Sequence, residues 1–565
     1  MSTISEKTIQ QKEWWKKAVF YQIYPRSFKD SSGNGIGDLQ GIIEKLDYLN
    51  DGTEKSLGID AIWFSPFFVS PQKDYGYDIA DYCSINPEYG TMDDYDQLVT
   101  ECHRRGIRVM LDLVVNHTSE DHEWFKQSRS SIDNPYRDWY IWKNGRRKNK
   151  PPNNWKSLFA GSAWTKDHTT GQYYLHSFLK EQPDLNWFNP QVREAIYKVL
   201  HFWLQKGADG FRLDVAHTYC KDETFADNPP VYKRVNLKGT LPLKDRSLEM
   251  VLLNLLGVPK FHHPETHLIL QRFRKILNLY PEKTSVGEIQ SEDPAVVASY
   301  YGNNNDELHM NFYLELAQNK KWKAKTFQKY IDLWENLLPS WAWPAYTFSN
   351  HDVIRAISRF GKGNSSDDKA RILAMMLLSL RCTPFIYYGE EIGMKFLNLP
   401  LKERKDPVGI RYYPFQPGRD GARTPMQWDG GEKGGFTTGE PWLPLGPEAE
   451  KRNVEMQDKD PSSLLNFYRR MIHLRKNCLP LQEGSYRSLQ KIVPQDCYAY
   501  KREWREEMII VALNFGNRFQ KIDLSSISAP KKILLSTDYR RQEKKLDKFL
   551  ELQPTEGCIL HVTKL

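Results

Sequence analysis

The chain has 565 residues, too many for one ordinary core, so its length predicts a large barrel with additions or several domains. Hydrophobic residues make up 40% and charged residues 27%, a mix that excludes a disordered chain. The 79 basic and 71 acidic residues leave a net charge of only +8, and clusters such as Lys143 to Lys150 read as solvated surface, so no nucleic-acid partner is expected.

The N-terminus, MSTISEKTIQQKEWWKK, has no apolar core and does not read as a secretory signal. Apolar runs of strand length then recur, each followed by a segment with helical spacing. The runs are Ala18 to Tyr24, Ala61 to Pro66, Arg108 to Val115, Gly210 to Val215, Ser285 to Ile289, His309 to Tyr313, Ala345 to Asn350 and Thr383 to Tyr388. Continuous apolar character without polar alternation is what a parallel strand covered on both faces requires. Helical spacing appears at Leu39 to Leu49, Tyr95 to Arg105, Val192 to Gly207, Thr266 to Leu279, Phe327 to Leu337, Asp368 to Leu380 and Leu464 to Lys476. Asn189-Pro190 supplies an N-cap with proline at the first helical position.

The alternation predicts an α/β fold, a (β/α)8 barrel over residues 14–116 and 184–480. A doubly wound open sheet is the alternative, but no glycine-rich fingerprint follows the first strand. Residues 117–183 are rich in Trp, Asn, Lys and Pro and too long for an ordinary loop, so a folded insertion after strand three is expected. Residues 481–565 turn to short β-type runs, which predict an antiparallel β-sandwich. The most apolar stretch, Ile372 to Leu380, is far shorter than the ~20 residues a membrane span needs, so no membrane association is expected. Seven cysteines, odd in number and without CxxC spacing, predict reduced thiols in a cytoplasmic protein.

The carboxyl ends of barrel strands converge on the active site. Asp112, Asn116 and His117 lie there after strand three, Arg212 and Asp214 after strand four, Glu288 after strand five, and His351 and Asp352 after strand seven; Asp78 follows strand two. A strand-end aspartate on its own caps a helix or pairs with arginine, but this many carboxylates at one rim are costly unless they do chemistry. Two carboxylates in unlike surroundings suit glycosyl transfer, as nucleophile and general acid/base. Arg212, two residues before Asp214, shares its face of the strand and can keep it ionised. Metal hydrolysis is the competing use, but no ligand spacing such as HExxH is present, and Phe261 to His267 reads as a helix start.

The motifs DLVVNH (Asp112 to His117), QPDLNW (Gln182 to Trp187), GFRLDVAH (Gly210 to His217), VGEI (Val286 to Ile289) and FSNHD (Phe348 to Asp352) stand in that order. Together with YGYDIADY, GEEIGM and RDGARTPMQW they make the chain resemble the α-amylase superfamily of retaining glycoside hydrolases, and within it the α-glucosidase and oligo-1,6-glucosidase group. The resemblance implies Asp214 as nucleophile, Glu288 as acid/base and Asp352 as the third carboxylate. It implies Asp78, His117, Arg212, His351 and Arg423 around the terminal glucose, with Tyr82, Phe178 and Gln182 as pocket neighbours. The residue after the nucleophile, here Val215, tends in such enzymes to be Val where α-1,6 bonds are accepted and Thr or Ala where they are not. Many relatives carry a calcium loop, which here would comprise Asp30, Ser32, Asn34, Ile36 and Asp38; its reduced ligand charge implies at most a weak structural calcium. No cofactor is otherwise expected.

The expected function is that of an exo-acting retaining α-glucosidase releasing terminal glucose from short α-1,4- or α-1,6-linked glucosides. A transglucosylase or sugar isomerase would share the first half-reaction. A non-catalytic partner of the transporter-heavy-chain type is disfavoured by the presence of all three carboxylates. Oligomeric state is not legible in the sequence.

Overall fold

The computed structural model describes residues 13–147, 149–228, 257–361, 366–489, 493–527, 531–541, 544–546 and 548–563. Eight parallel strands close into a barrel: β1 (Phe20–Ile23), β2 (Ala61–Phe64), β3 (Arg108–Leu113), β4 (Gly210–Leu213), β5 (Thr284–Gly287), β6 (Met310–Phe312), β7 (Trp343–Tyr346) and β8 (Thr383–Tyr387). Closure is by β8 on β1, with Phe20 opposite Phe385. Their rings stack at 4.5 Å and fill the barrel floor with Ala61, Met110, Val286, Met310 and Ala345. Each expected strand run is present. β7 starts two residues earlier than its run and stops at Tyr346, leaving 347–352 as a loop that carries His351 and Asp352 over the barrel mouth.

The helices form for the reasons their sequences suggest. In Pro190–Gln205, Asn189 accepts a hydrogen bond from Gln191 N–H, Pro190 opens the first turn, and Gly207 ends the run with φ of 94°. Its inner stripe, Val192, Ile196, Leu200 and Trp203, packs against the barrel. His263 likewise caps Pro264–Leu277, so the histidine-rich stretch is a helix start.

Between β3 and β4, the chain forms the helix Glu123–Ser130 and a small antiparallel sheet ordered Trp142–Lys143, Tyr173–Leu175, Trp164–Lys166. A fully buried ion pair, Lys221 to Asp184 at 2.9 Å, ties its return to the segment after β4. The tail is an antiparallel sheet in the order Ser485–Ser488, Cys497–Trp504, Glu507–Asn514, Gly557–Thr563, Lys531–Ser536, Lys545–Leu546, faced by the pair Gln520–Asp523 and Phe549–Leu552. Strand alternation divides its side chains. Ile510 and Ala512 join Ile522, Leu550 and Leu552 in the sandwich core. Ile509, Val511 and Leu513 join the barrel's core.

Candidate active site

Asp214 and Glu288 each follow the last residue of their strands, β4 and β5. Backbone bonds hold the two ends together: Glu288 N–H donates to the Leu213 carbonyl (3.0 Å), and Ala216 N–H donates to the Glu288 carbonyl (3.1 Å). The register pairs Asp112 with Arg212, so β3 delivers a third carboxylate to the same level.

Arg212 organises these groups. One of its nitrogens donates to Asp112 and Asp214, both at 2.7 Å, and the other donates to Glu288. The guanidinium is buried and forks between three carboxylates, a geometry that a lysine point charge does not reproduce. Asp214 is therefore less well compensated than one Arg-Asp pair suggests. Burial raises its pKa well above the usual carboxylate range; Arg212 pulls it down, while Glu288 and Asp112 push it further up. Burial likewise raises Asp112 to about 6 against the pull of Arg212.

Exposure rises across the cluster. The side chain is sealed at Asp112, 8% exposed at Asp214, 12% at Glu288 and 33% at Asp352. Asp352 accepts from Arg423 (3.1 Å) and lies 3.1 Å from the His351 ring. Burial opposes its charge, but the hydrogen bond from His351 and the charges of Arg419 and Arg423 outweigh that and hold it well below the usual range. His351 itself is neutral, drawn down to about 4 chiefly by burial. The Gln22 amide donates to His351 Nδ1 (2.8 Å), which leaves the proton on Nε2. That nitrogen meets the Tyr77 hydroxyl at 2.6 Å, and the hydroxyl donates in turn to Asp112 (3.1 Å).

The other expected pocket residues divide. His117 is buried, with Nε2 donating to the Tyr77 carbonyl (2.9 Å), and Phe178 covers its ring at 5.1 Å. Gln182 donates to Asp74 (3.1 Å) and braces the loop after β2. Asp78 and Tyr82 are engaged with backbone and loop groups. Asp78 is wholly buried and accepts from Ser70 Oγ, Lys73 N–H and Asp74 N–H, so its oxygens staple the 70–78 loop. The Tyr82 hydroxyl is spent on the carbonyls of Val114 and His117. Asp74 stands where Asp78 was expected: Arg419 donates to it at 2.6 Å and also reaches Asp352 at 3.4 Å. Motif reading passed over Asp74, Tyr77 and Arg419; the signals available were the first residue of DYGYD and the opening arginine of RDGAR.

Val215 also differs from expectation. The run Gly210 to Val215 extends past the strand, because β4 ends at Leu213 and Val215 adopts φ of 36°, the left-handed region. For a β-branched side chain this conformation costs about 1–3 kcal/mol and marks a constrained turn.

The loop from Asp30 to Asp38 does not fit a calcium ion. Asp30 accepts from the N–H groups of Ser32, Gly33 and Gly35 and from the Thr437 hydroxyl. Asp38 accepts from Ser31 and caps the helix that begins at Leu39, and Asn34 turns its oxygen to Ile36 N–H. The carboxylate lone pairs that a cation would use are already engaged. Among the described residues, no group of three or more His, Cys, Asp or Glu side chains is placed to hold a metal.

A family model described as Alpha amylase, catalytic domain, matches residues 22–484. The chain is similar to the oligo-1,6-glucosidase of Parageobacillus thermoglucosidasius, 40% identical over 580 residues and covering 97% of this chain and 99% of the relative. It is 42% identical over 476 residues to a probable alpha-glucosidase of Rhizobium meliloti (strain 1021), with 84% of each chain covered. A solved structure of XgtA, an alpha-glucosyl transfer enzyme, is similar with a TM-score of 0.88 and 37% identity over 98% of this chain and 99% of that one.

Proposed function

Because this chain belongs to the alpha-amylase catalytic-domain family, we propose that it is an exo-acting, retaining α-glucosidase acting on short α-glucosides. The observation that carries this reading is Arg212, whose one guanidinium holds both Asp214 and Glu288, with the more exposed Asp352 held nearby by Arg423. In the proposed reaction an Asp214 oxygen attacks the anomeric carbon while Glu288 gives its proton to the departing glycosidic oxygen. The resulting glucosyl ester is hydrolysed by water whose proton returns to Glu288, so configuration is retained. Asp352, kept ionised by its arginines, would bind sugar hydroxyls and stabilise the distorted, oxocarbenium-like ring. The Asp74–Arg419 pair, which also reaches Asp352, would hold hydroxyls of one terminal glucose. Products from a panel of maltose, isomaltose, sucrose and trehalose, resolved by chromatography, test the reading; glucose of retained configuration is expected.

Transfer to a sugar hydroxyl in place of water is the second reading, favoured by the likeness to XgtA. It is tested by the ratio of oligosaccharide to free glucose as substrate concentration rises. We further propose residues 14–116 and 184–480 as the catalytic unit, 117–183 as the insertion and 481–565 as the tail. Cytoplasmic location is proposed from the cysteines, six of the seven buried and none paired. Among the described residues, no helix is long and apolar enough to cross a membrane.

Two expected results follow from the site. The nucleophile must be ionised, and the Asp214 pKa is raised, so kcat/KM should fall with acidification from an inflection above the usual carboxylate range. An acid limb centred below pH 4 would contradict this. At Val215, both maltose and isomaltose should be cleaved by the native protein. Val215→Thr should lower the isomaltose share by about 1–3 kcal/mol of selectivity. An unchanged ratio of kcat/KM values would show that linkage is set elsewhere.

A further inference from the structure

On the outer flank of the barrel, a groove of about 650 Å³ lies between the helix Pro190–Gln205 and the insertion. It falls within the size range of small-ligand sites. On the insertion side its wall is Trp124 and Trp139, both partly exposed, whose rings meet edge-on at 4.9 Å and 60°. The helix wall carries Gln191, Glu194, Lys198 and Phe202, spaced three and four apart and so on one helix face. Trp139 donates its indole N–H to the Gln191 amide oxygen (3.2 Å), which turns one end of that amide toward the rings. Neither Glu194 nor Lys198 has an ion-pair partner among the described residues, although ion pairs are frequent elsewhere on this surface.

We propose that this groove is an auxiliary binding site for a neutral oligosaccharide, separate from the catalytic pocket. The pyranose C–H face suits the indole surface. Sugar hydroxyls can donate to Glu194, accept from Lys198, and do both with Gln191. An apolar peptide laid over the same face would strip water from Glu194 and Lys198, which is costly. The ligand class rests on the glucosidase reading, since such a protein works among oligosaccharides, but the test below reads the groove alone.

Cys83 lines this groove and is the one cysteine of the seven that is not buried, so it reports on occupancy. Full-length Asp214→Asn protein, which should not consume the sugar, is labelled with a maleimide with and without maltotriose or isomaltotriose. Labelling of Cys83 is expected to slow about threefold when the sugar stands at twice its dissociation constant, the factor set by simple occupancy. Protection should be lost with Trp139→Ala and, as exposed changes that do not threaten folding, with Gln191→Ala and Glu194→Ala. The same three substitutions in the active protein should leave maltose hydrolysis unchanged. The proposal is overturned if sugar does not slow labelling, if protection survives the substitutions, or if labelling falls with protein concentration alone, which would assign the groove to a second copy of the chain.

Discussion

Asp214→Asn is expected to lower kcat by about 10⁴–10⁶-fold, the scale on which loss of a covalent nucleophile is felt. The amide keeps the size of the carboxylate and can still meet Arg212, so folding should be retained and the loss assigned to chemistry. Glu288→Gln should behave differently. With maltose, whose leaving oxygen needs a proton, the loss should be about 10²–10⁴-fold. With an activated aryl glucoside the first step should be nearly normal, and a burst of phenol should precede a slow steady state. Equal loss of the burst rate on both substrate types would separate Glu288 from the acid role. Loss of the burst in Glu288→Gln but not in Asp214→Asn would reverse the assignments.

Arg212→Met should be the most damaging change to stability at the site, because it leaves Asp112, Asp214 and Glu288 facing one another without their shared cation. Removing one partner of a buried pair costs about 3–5 kcal/mol. The pH dependence gives this a signature. Asp112 and Asp214 have folded pKa values raised above those of the unfolded chain, so the folded state holds the extra protons. Stability therefore falls as pH rises from the unfolded carboxylate value near 4 through the folded value, about 6 for Asp112. Without Arg212 both groups rise further, so the deficit relative to the native protein should be larger at pH 8 than at pH 5. Denaturant midpoints at the two pH values check it. A deficit independent of pH would mean that the arginine acts by packing alone.

The barrel was legible because its strands are covered on both faces, which leaves largely apolar runs without polar alternation, such as VML in β3 and PFIY in β8. Positions at strand ends were legible for the same reason: Asp214 and Glu288 are the carboxylates near the carboxyl ends of such runs. Loop residues were harder. Asp74 and Asp78 stand four apart in one motif, and nothing local says that Arg419, 345 residues away, selects the first while the 70–74 turn buries the second. The run through Val215 was read two residues too long, because the strand ends at Leu213 and the turn begins at Asp214. Arg419 pairs with Asp74, Asp352 and Asp406. The charge balance of the rim is thus set by tertiary contacts that no spacing in the chain announces.

The tail sheet, whose alternate residues serve two different cores, makes residue 480 a poor place to cut. Tyr500 reaches the Ser379 hydroxyl at 2.5 Å, and Arg502 donates to the Ser379 carbonyl at 2.6 Å, so the sheet seals the helix Ser366–Ser379 that stands directly before β8. A chain ending at 480 would turn the buried residues of that helix toward water and lose the arginine that engages its last turn. The fragment would be a sticky barrel, prone to collect on its neighbours. Sequence motifs divide this protein into a working part and an appendage. Its side chains treat the appendage as the outer wall of the eighth barrel unit.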